Sequence, residues 1–158
     1  MVKENKFLNS GAILMLIGAL VFILYGIVFF IRSFVGPGFE LGVSTLNGVT
    51  VAQLNALNPA VMHYIRHLHI ATAEFIIATG IAVLGIAWYG VRKGQWWAWV
   101  TGVVAPVLGL IVIIPMHWFN LFTYNQLTHL GPIYLGTIVY VVGALIALKG
   151  LIRSPTKE

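Results

Sequence analysis

Three histidines stand close together in the stretch His63-Tyr-Ile-Arg-His67-Leu-His69, and two more follow at His117 and His129. The four-residue spacing of His63 and His67 places both imidazoles on one side of a helix. Such a pair can bind one metal ion, and His117 or His129 could add a third nitrogen ligand. Imidazole ligands without thiolates suit copper, zinc or iron, while two histidines on facing helices could hold haem b.

Glu74 is the only acidic residue inside a long apolar segment of this chain. On a helix it shares the face of His63 and His67 and lies about 10 Å deeper than His67. A carboxyl group within a bilayer costs roughly 2.5–3.5 kcal/mol, so we expect Glu74 to be buried in the protein with a partner. Tyr140 is the candidate donor, because it lies as far along the chain from His129 as Glu74 lies from His63. Glu74 and Tyr140 would then form a ligand-binding or proton site.

Each of these residues also has a structural interpretation. The histidines could be interface or hydrogen-bonded residues without a ligand, and Glu74 could form an interhelical hydrogen bond with no further role. Histidines also serve in pH sensing and acid–base work. If the chain is an enzyme, Glu74 and His67 would be the acid–base pair acting on a lipid-like substrate.

The composition favours a lipid bilayer as the solvent of this chain. Hydrophobic residues make up 59% and charged residues 8%, with a mean hydropathy of +0.95, whereas soluble domains carry roughly 25% charged residues. The absence of cysteine excludes disulfides and thiolate-bound metals. There is no aspartate, no phosphate-binding glycine loop and no serine hydrolase motif, which argues against nucleotide-driven work and two-carboxylate hydrolysis. The net charge of +5 comes from basic residues at segment ends, and we expect no nucleic-acid partner.

Four long apolar segments predict four transmembrane helices. The second begins at Asn58-Pro59, an N-cap residue followed by proline at the first helical position. Pro106 and Pro115 are expected to kink the third. We predict an all-α membrane protein whose single domain, 1–158, is a four-transmembrane-helix antiparallel bundle with spans at about 7–31, 59–89, 96–119 and 129–148.

A short helix is predicted in the connection between the first two spans. Thr50-Val-Ala-Gln53 matches a capping box and would open an amphipathic helix from Val51 to Leu57. Such a helix would lie on the membrane surface or over the mouth of the bundle.

Small residues indicate which faces of the spans pack together. Gly11, Gly18 and Gly26 share one face of the first span, and Gly136, Tyr140, Gly143 and Ala147 follow His129 on one face of the fourth. On the second span, Ala71, Ala78 and Gly85 continue the stripe of Glu74. Because small residues let helices approach closely in lipid, we expect all three faces to point into the bundle.

The basic residues predict the orientation. Seven of the nine lie in the N-terminal tail, the 90–95 turn and the C-terminal tail. Basic residues are enriched on the cytoplasmic side, so both termini of this multi-pass protein are expected in the cytoplasm, beneath the cell membrane. All five histidines would then lie at the outer face.

Two stretches carry a resemblance to known proteins. They are the hairpin Trp88-Tyr-Gly-Val-Arg-Lys-Gly-Gln-Trp-Trp-Ala-Trp99 and the run from Leu46-Asn-Gly-Val-Thr50 to Asn58-Pro59. Both resemble segments of small, uncharacterised four-span prokaryotic membrane proteins. The resemblance implies the four-span topology and no activity.

Two hypotheses for the function follow. In the first, His63, His67, His117 and His129 line a pocket at the outer face, above a buried Glu74, that binds copper, zinc, haem b or a small ligand. In the second, the histidines are structural and the chain is an accessory subunit of a larger membrane complex, held by its glycine faces, or a homo-oligomer. The sequence leaves open whether the protein is an enzyme.

Overall fold

The computed structural model of the protein describes residues 5–36, 38–119 and 122–153. Of these residues 82% are helical, and none forms a strand. Four of the helical stretches are long and apolar enough to cross a membrane. They are Lys6–Val35, Pro59–Lys93, Trp96–Phe119 and Gly131–Arg153.

Seven α-helices make up the described chain: α1 (Lys6–Val35), α2 (Val51–Leu57), α3 (Pro59–Tyr89), α4 (Trp96–Leu110), α5 (Ile113–Met116), α6 (Gln126–His129) and α7 (Gly131–Arg153). Short 3₁₀ turns follow α3 at Val91–Lys93 and α5 at His117–Phe119. The predicted bounds of α2 and α3 are confirmed. Thr50 and Gln53 form the predicted capping box, and Asn58 caps α3 by accepting from the Ala60 amide.

The third long segment is broken rather than merely kinked. α4 ends at Leu110, and α5 and a 3₁₀ turn complete the stretch to Phe119. Pro115 has no amide hydrogen, so it cannot donate to the carbonyl of Ile111 four residues earlier. The helix loses its regular ladder there, and His117 falls in the turn that follows.

α1 and α7 pack backbone against backbone. A Cβ atom at Gly11 would lie 2.5 Å from the Ala147 nitrogen, and one at Gly143 would lie 2.6 Å from the Met15 nitrogen. Further along α1, a Cβ at Gly18 would lie 2.8 Å from the Cβ of Tyr140. These positions accept no side chain, which confirms the predicted packing faces of the first and fourth segments.

α3 packs on the other part of α1. A Cβ at Gly26 would lie 2.8 Å from the Ile77 side chain, and one at Gly80 would lie 2.5 Å from that of Ile23. The buried residues of α3 are Met62, Ala73, Gly80, Val83 and Ala87. The predicted inward stripe of Ala71, Ala78 and Gly85 is therefore wrong, because the buried face is the one that carries Ala73, Gly80 and Ala87.

We predict that Gly143→Ala lowers the stability of the protein, because the added methyl group overlaps the α1 backbone. Overpacking of this kind costs about 1–3 kcal/mol. Gly85→Ala is the matched control, since a Cβ there meets nothing within 4 Å. Thermal unfolding in detergent should show a lower midpoint for Gly143→Ala and no loss for Gly85→Ala. Equal midpoints in the two variants would contradict the described α1–α7 contact.

Candidate functional site

His117 and His129 meet inside the protein. Their Nε2 atoms are 2.9 Å apart and their ring centroids 5.0 Å apart. His129 is 1% exposed and His117 8%. The break before Pro115 positions His117, and Asn125 positions His129 by capping α6, accepting from the Thr128 amide at 3.0 Å. Local breaks in helical structure thus bring the two rings together.

The other ring nitrogen of each histidine contacts a backbone carbonyl. His117 Nδ1 lies 2.7 Å from the Ile113 oxygen, and His129 Nδ1 lies 2.7 Å from the Leu41 oxygen. A carbonyl oxygen only accepts, so each Nδ1 must carry a hydrogen and donate it. This assignment fixes the tautomer of both rings and their orientation.

The hydrogen count of the neutral pair leaves the contact between its Nε2 atoms one hydrogen short. Three short contacts, two to carbonyls and one between the Nε2 atoms, need three hydrogens. Two neutral imidazoles supply only two, and both are used at Nδ1. Two bare Nε2 lone pairs at 2.9 Å would repel each other. The Nε2–Nε2 contact therefore has no hydrogen of its own, and a cation placed between the two atoms would make it favourable.

Glu40 provides the balancing negative charge. Its Oε2 atom is 3.6 Å from His129 Nε2, and its Oε1 atom is 3.8 Å from His69 Nε2. The loop that carries Glu40 is held on the bundle by buried Phe39 and Val43, which cluster with Met62 of α3. Backbone bonding adds to this, since the Asn125 amide donates to the Gly42 carbonyl at 2.8 Å.

Aromatic rings cover the histidine pair. The Tyr124 ring lies 5.4 Å from that of His117 and 5.0 Å from that of His129, and Phe122 lies 6.1 and 6.2 Å from the same two rings. The Tyr124 hydroxyl also donates to the His117 carbonyl at 3.1 Å. Apolar cover lowers the local dielectric, which strengthens the attraction between a charge held by the pair and Glu40.

The structure does not gather the predicted four-histidine set. His63 and His67 are exposed on α3, away from the buried face that carries Met62 and Ala73. Within residues 5–36, 38–119 and 122–153, no group of three or more histidine, aspartate or glutamate side chains already stands where it could hold a metal ion. His117 and His129 are the part of the prediction that the fold brings together.

Glu74 is exposed, so the prediction of a buried carboxyl group is wrong. It lies in a shallow groove with Phe30, Ile77 and Ala78. Tyr140 is buried, but its hydroxyl donates to the Gly102 carbonyl at 2.7 Å, so the predicted bond to Glu74 is also wrong. The physical reason is that Glu74 directly follows the buried Ala73 and is thus rotated about 100° from the packed face.

Two residues of the site were missed by the sequence reasoning. His69 is not among the predicted site residues, although it lies seven residues after buried Met62, on the same face of the helix. That spacing was a usable signal. Glu40 lies in an irregular loop, where no periodicity indicates the direction of a side chain.

Comparison of the chain with known protein families, with curated proteins and with solved structures finds no match. The His117–His129 pair and its surroundings are therefore the features of the chain that point to a function.

We predict that Glu40→Gln destabilises the protein more than Glu74→Gln does. The first change removes the negative charge beside the histidine pair and keeps the size of the side chain. Because Glu40 is partly exposed and solvent screens it, we expect a loss of about 1 kcal/mol. Glu74→Gln makes the same chemical change at a residue that contacts neither histidine. Thermal midpoints in detergent test this, and a midpoint that is unchanged in Glu40→Gln would show that the pair carries no compensated charge.

Proposed function

We propose that the chain is a multi-pass protein of the cell membrane, with its four long helices antiparallel and both termini in the cytoplasm. The length and apolar composition of the helices support this. So do large apolar side chains that are more than half exposed on each of them, including Leu24, Phe75, Leu108 and Leu145. Lipid is the surrounding in which such surfaces are stable. The seven basic residues at one set of ends support the orientation.

We propose that its function is to bind a transition-metal ion between His117 and His129, at the outer face. The observation that carries this is that both Nδ1 atoms donate to backbone carbonyls while both Nε2 atoms converge at 2.9 Å. Metal-binding histidines almost always donate their other ring hydrogen to a carbonyl, carboxylate or water, which orients the ring and makes it a better ligand.

The separation of the two nitrogens favours copper. Two nitrogens about 2.0–2.1 Å from one ion and at right angles to each other are about 2.9 Å apart, as are these. A tetrahedral zinc ion would need a separation of about 3.4 Å. Haem b does not fit between these rings, because two axial nitrogens on opposite sides of an iron are about 4 Å apart. Tetragonal copper is thus the better match by separation, and binding it requires the rings to turn, because centroids 5.0 Å apart aim the two Nε2 atoms almost directly at each other.

Glu40 is the third ligand in this proposal. Its Oε2 atom is 3.6 Å from His129 Nε2, so a small rotation of its partly exposed side chain would bring it to the ion. His69, on the other carboxylate oxygen, would orient Glu40 or bind directly. The Leu41 and Ile113 carbonyls fix the imidazoles, and Tyr124 and Phe122 exclude water.

Copper titration of protein purified without a histidine tag tests the proposal. We expect one copper ion per chain in the unaltered protein and at least a hundredfold weaker binding in His117→Ala and His129→Ala, because each removes a ligand. His67→Ala is the control, since this histidine is exposed and separate from the pair. Equal binding by all four proteins would rule out the site. If none binds copper and nitrogen NMR shows a hydrogen shared by the Nε2 atoms, the pair holds a proton and the copper proposal is wrong.

The second candidate, a subunit of a larger membrane assembly, is favoured by a separate observation. Gly85 and Gly109 sit in helices, yet a Cβ at either meets nothing within 4 Å, so packing within the chain does not explain them. Glu74 is exposed on the same side of α3 as Gly85. Small residues and a carboxyl group on one face are suited to contact with another helix.

Gly85→Leu tests this candidate, because it enlarges the open face without touching an internal neighbour. We expect gentle purification of the unaltered protein to yield a complex of more than one chain, and Gly85→Leu to reduce its yield several-fold with copper binding unchanged. An unaltered protein that purifies as a single chain would contradict the subunit interpretation and leave the copper proposal standing.

A further inference from the structure

We infer that a second site, at the start of α3, binds a phosphate group carried by an anionic phospholipid. A cavity of about 330 Å³ lies between the loop after α1, the short helix α2 and the first turns of α3. We name it the α3 pocket; its lining includes Gly38, Val51, Asn55, Met62, His63 and Arg66.

The polar groups of the α3 pocket are all able to donate hydrogen bonds. Arg66 and His63 lie one helical turn apart, and Asn55 contributes an amide from α2. Among the residues that the structure describes, no acidic side chain lines the pocket. The nearest acid in the loop sequence, Glu40, has its oxygens against His69 and His129 instead. The pocket thus presents positive charge and donors without a counter-charge of its own.

Arg66 has no partner in the described part of the chain, where it makes neither an ion pair nor a hydrogen bond. A guanidinium group binds phosphate and carboxylate in a two-pronged manner, which an ammonium group does not. A second arginine, Arg32, lies four residues before Gly36, which lines the pocket, but Arg32 itself is not among the lining residues. The Arg32 carbonyl accepts a hydrogen bond from the Gly36 amide at the edge of the pocket. The buried Nε atom of Arg32 has no hydrogen-bond partner among the described residues.

The depth of the pocket points to a lipid phosphate. Twenty residues of helix cross the roughly 30 Å of hydrocarbon, and Trp88 and Tyr89 mark the interface at the far end of α3. Counting twenty residues back from Trp88 reaches Leu68. Arg66 and His63 therefore lie just beyond the hydrocarbon, at the level of the headgroups.

The walls of the pocket suit an amphipathic ligand. Met62 is buried beneath it and Val51 faces it from α2. Gly38 has a φ of +100°, and a Cβ there would lie 2.8 Å from the Met62 methyl group, so glycine lets the loop close over this side. Apolar walls beside a cluster of donors fit a phosphate that is attached to a glycerol backbone and acyl chains.

Native mass spectrometry of the detergent-purified protein, titrated with phosphatidylglycerol or phosphatidylcholine, tests the inference. We expect one phosphatidylglycerol molecule to bind tightly and phosphatidylcholine to bind more weakly. Arg66→Gln should weaken phosphatidylglycerol binding at least tenfold, because it removes the guanidinium. Lys93→Gln is the matched control, since it removes one exposed positive charge from the turn after α3. Equal affinity in the two variants would overturn the inference.

Competition with inorganic phosphate distinguishes a bound phospholipid from a bound free phosphate ion. If millimolar phosphate fails to displace phosphatidylglycerol, the lipid assignment stands. If phosphate displaces it and binds alone in a manner that depends on Arg66, the lipid assignment is wrong and the pocket takes free anions. Copper binding in Arg66→Gln should be unchanged, because Arg66 is not in contact with the histidine pair, so this inference and the proposed function fail independently.

Discussion

The hydrogen bond from His129 Nδ1 to the Leu41 carbonyl is the contact on which the site depends. It ties the loop after α1 to α6, just before the last long helix, and it fixes the hydrogen of His129 at Nδ1, so that Nε2 faces His117. The same short loop carries Glu40 to the pair. Without this bond, the ring would be free to rotate and the loop would lose a buried attachment.

The broken third segment is the second requirement. A continuous helix from Trp96 to Phe119 would keep its carbonyls in the helical ladder and carry His117 along a straight axis. Pro115 removes one donor of that ladder, and the chain turns so that His117 faces His129. The break between α4 and His117 is thus the feature that brings the two histidines together.

α3 contributes to both proposed sites, one for a cation and one for an anion. His69 reaches Glu40, which lies beside the histidine pair, whereas Arg66 and His63 line the α3 pocket. Both surfaces begin within the first eleven residues of one helix. Glu74 belongs to neither, since it lies deeper and is exposed, on the same side of α3 as Gly85.

The sequence by itself determined the features that depend on local chemistry. Thr50 and Gln53, Asn58 and Pro59 set the bounds of α2 and α3, because caps and proline act on the nearest backbone groups. Only the tertiary structure decided which face of α3 is buried. Ala71, Ala78 and Gly85 form one stripe of small residues, and Ala73, Gly80 and Ala87 form another with the same spacing. Periodicity cannot choose between two equal stripes. The close approach of α1 at Gly26 and Gly80 decides which stripe is buried, and it thereby leaves Glu74 exposed and His69 partly buried. Glu40 reaches the histidines through the folding of a loop, for which no repeating pattern exists in the chain.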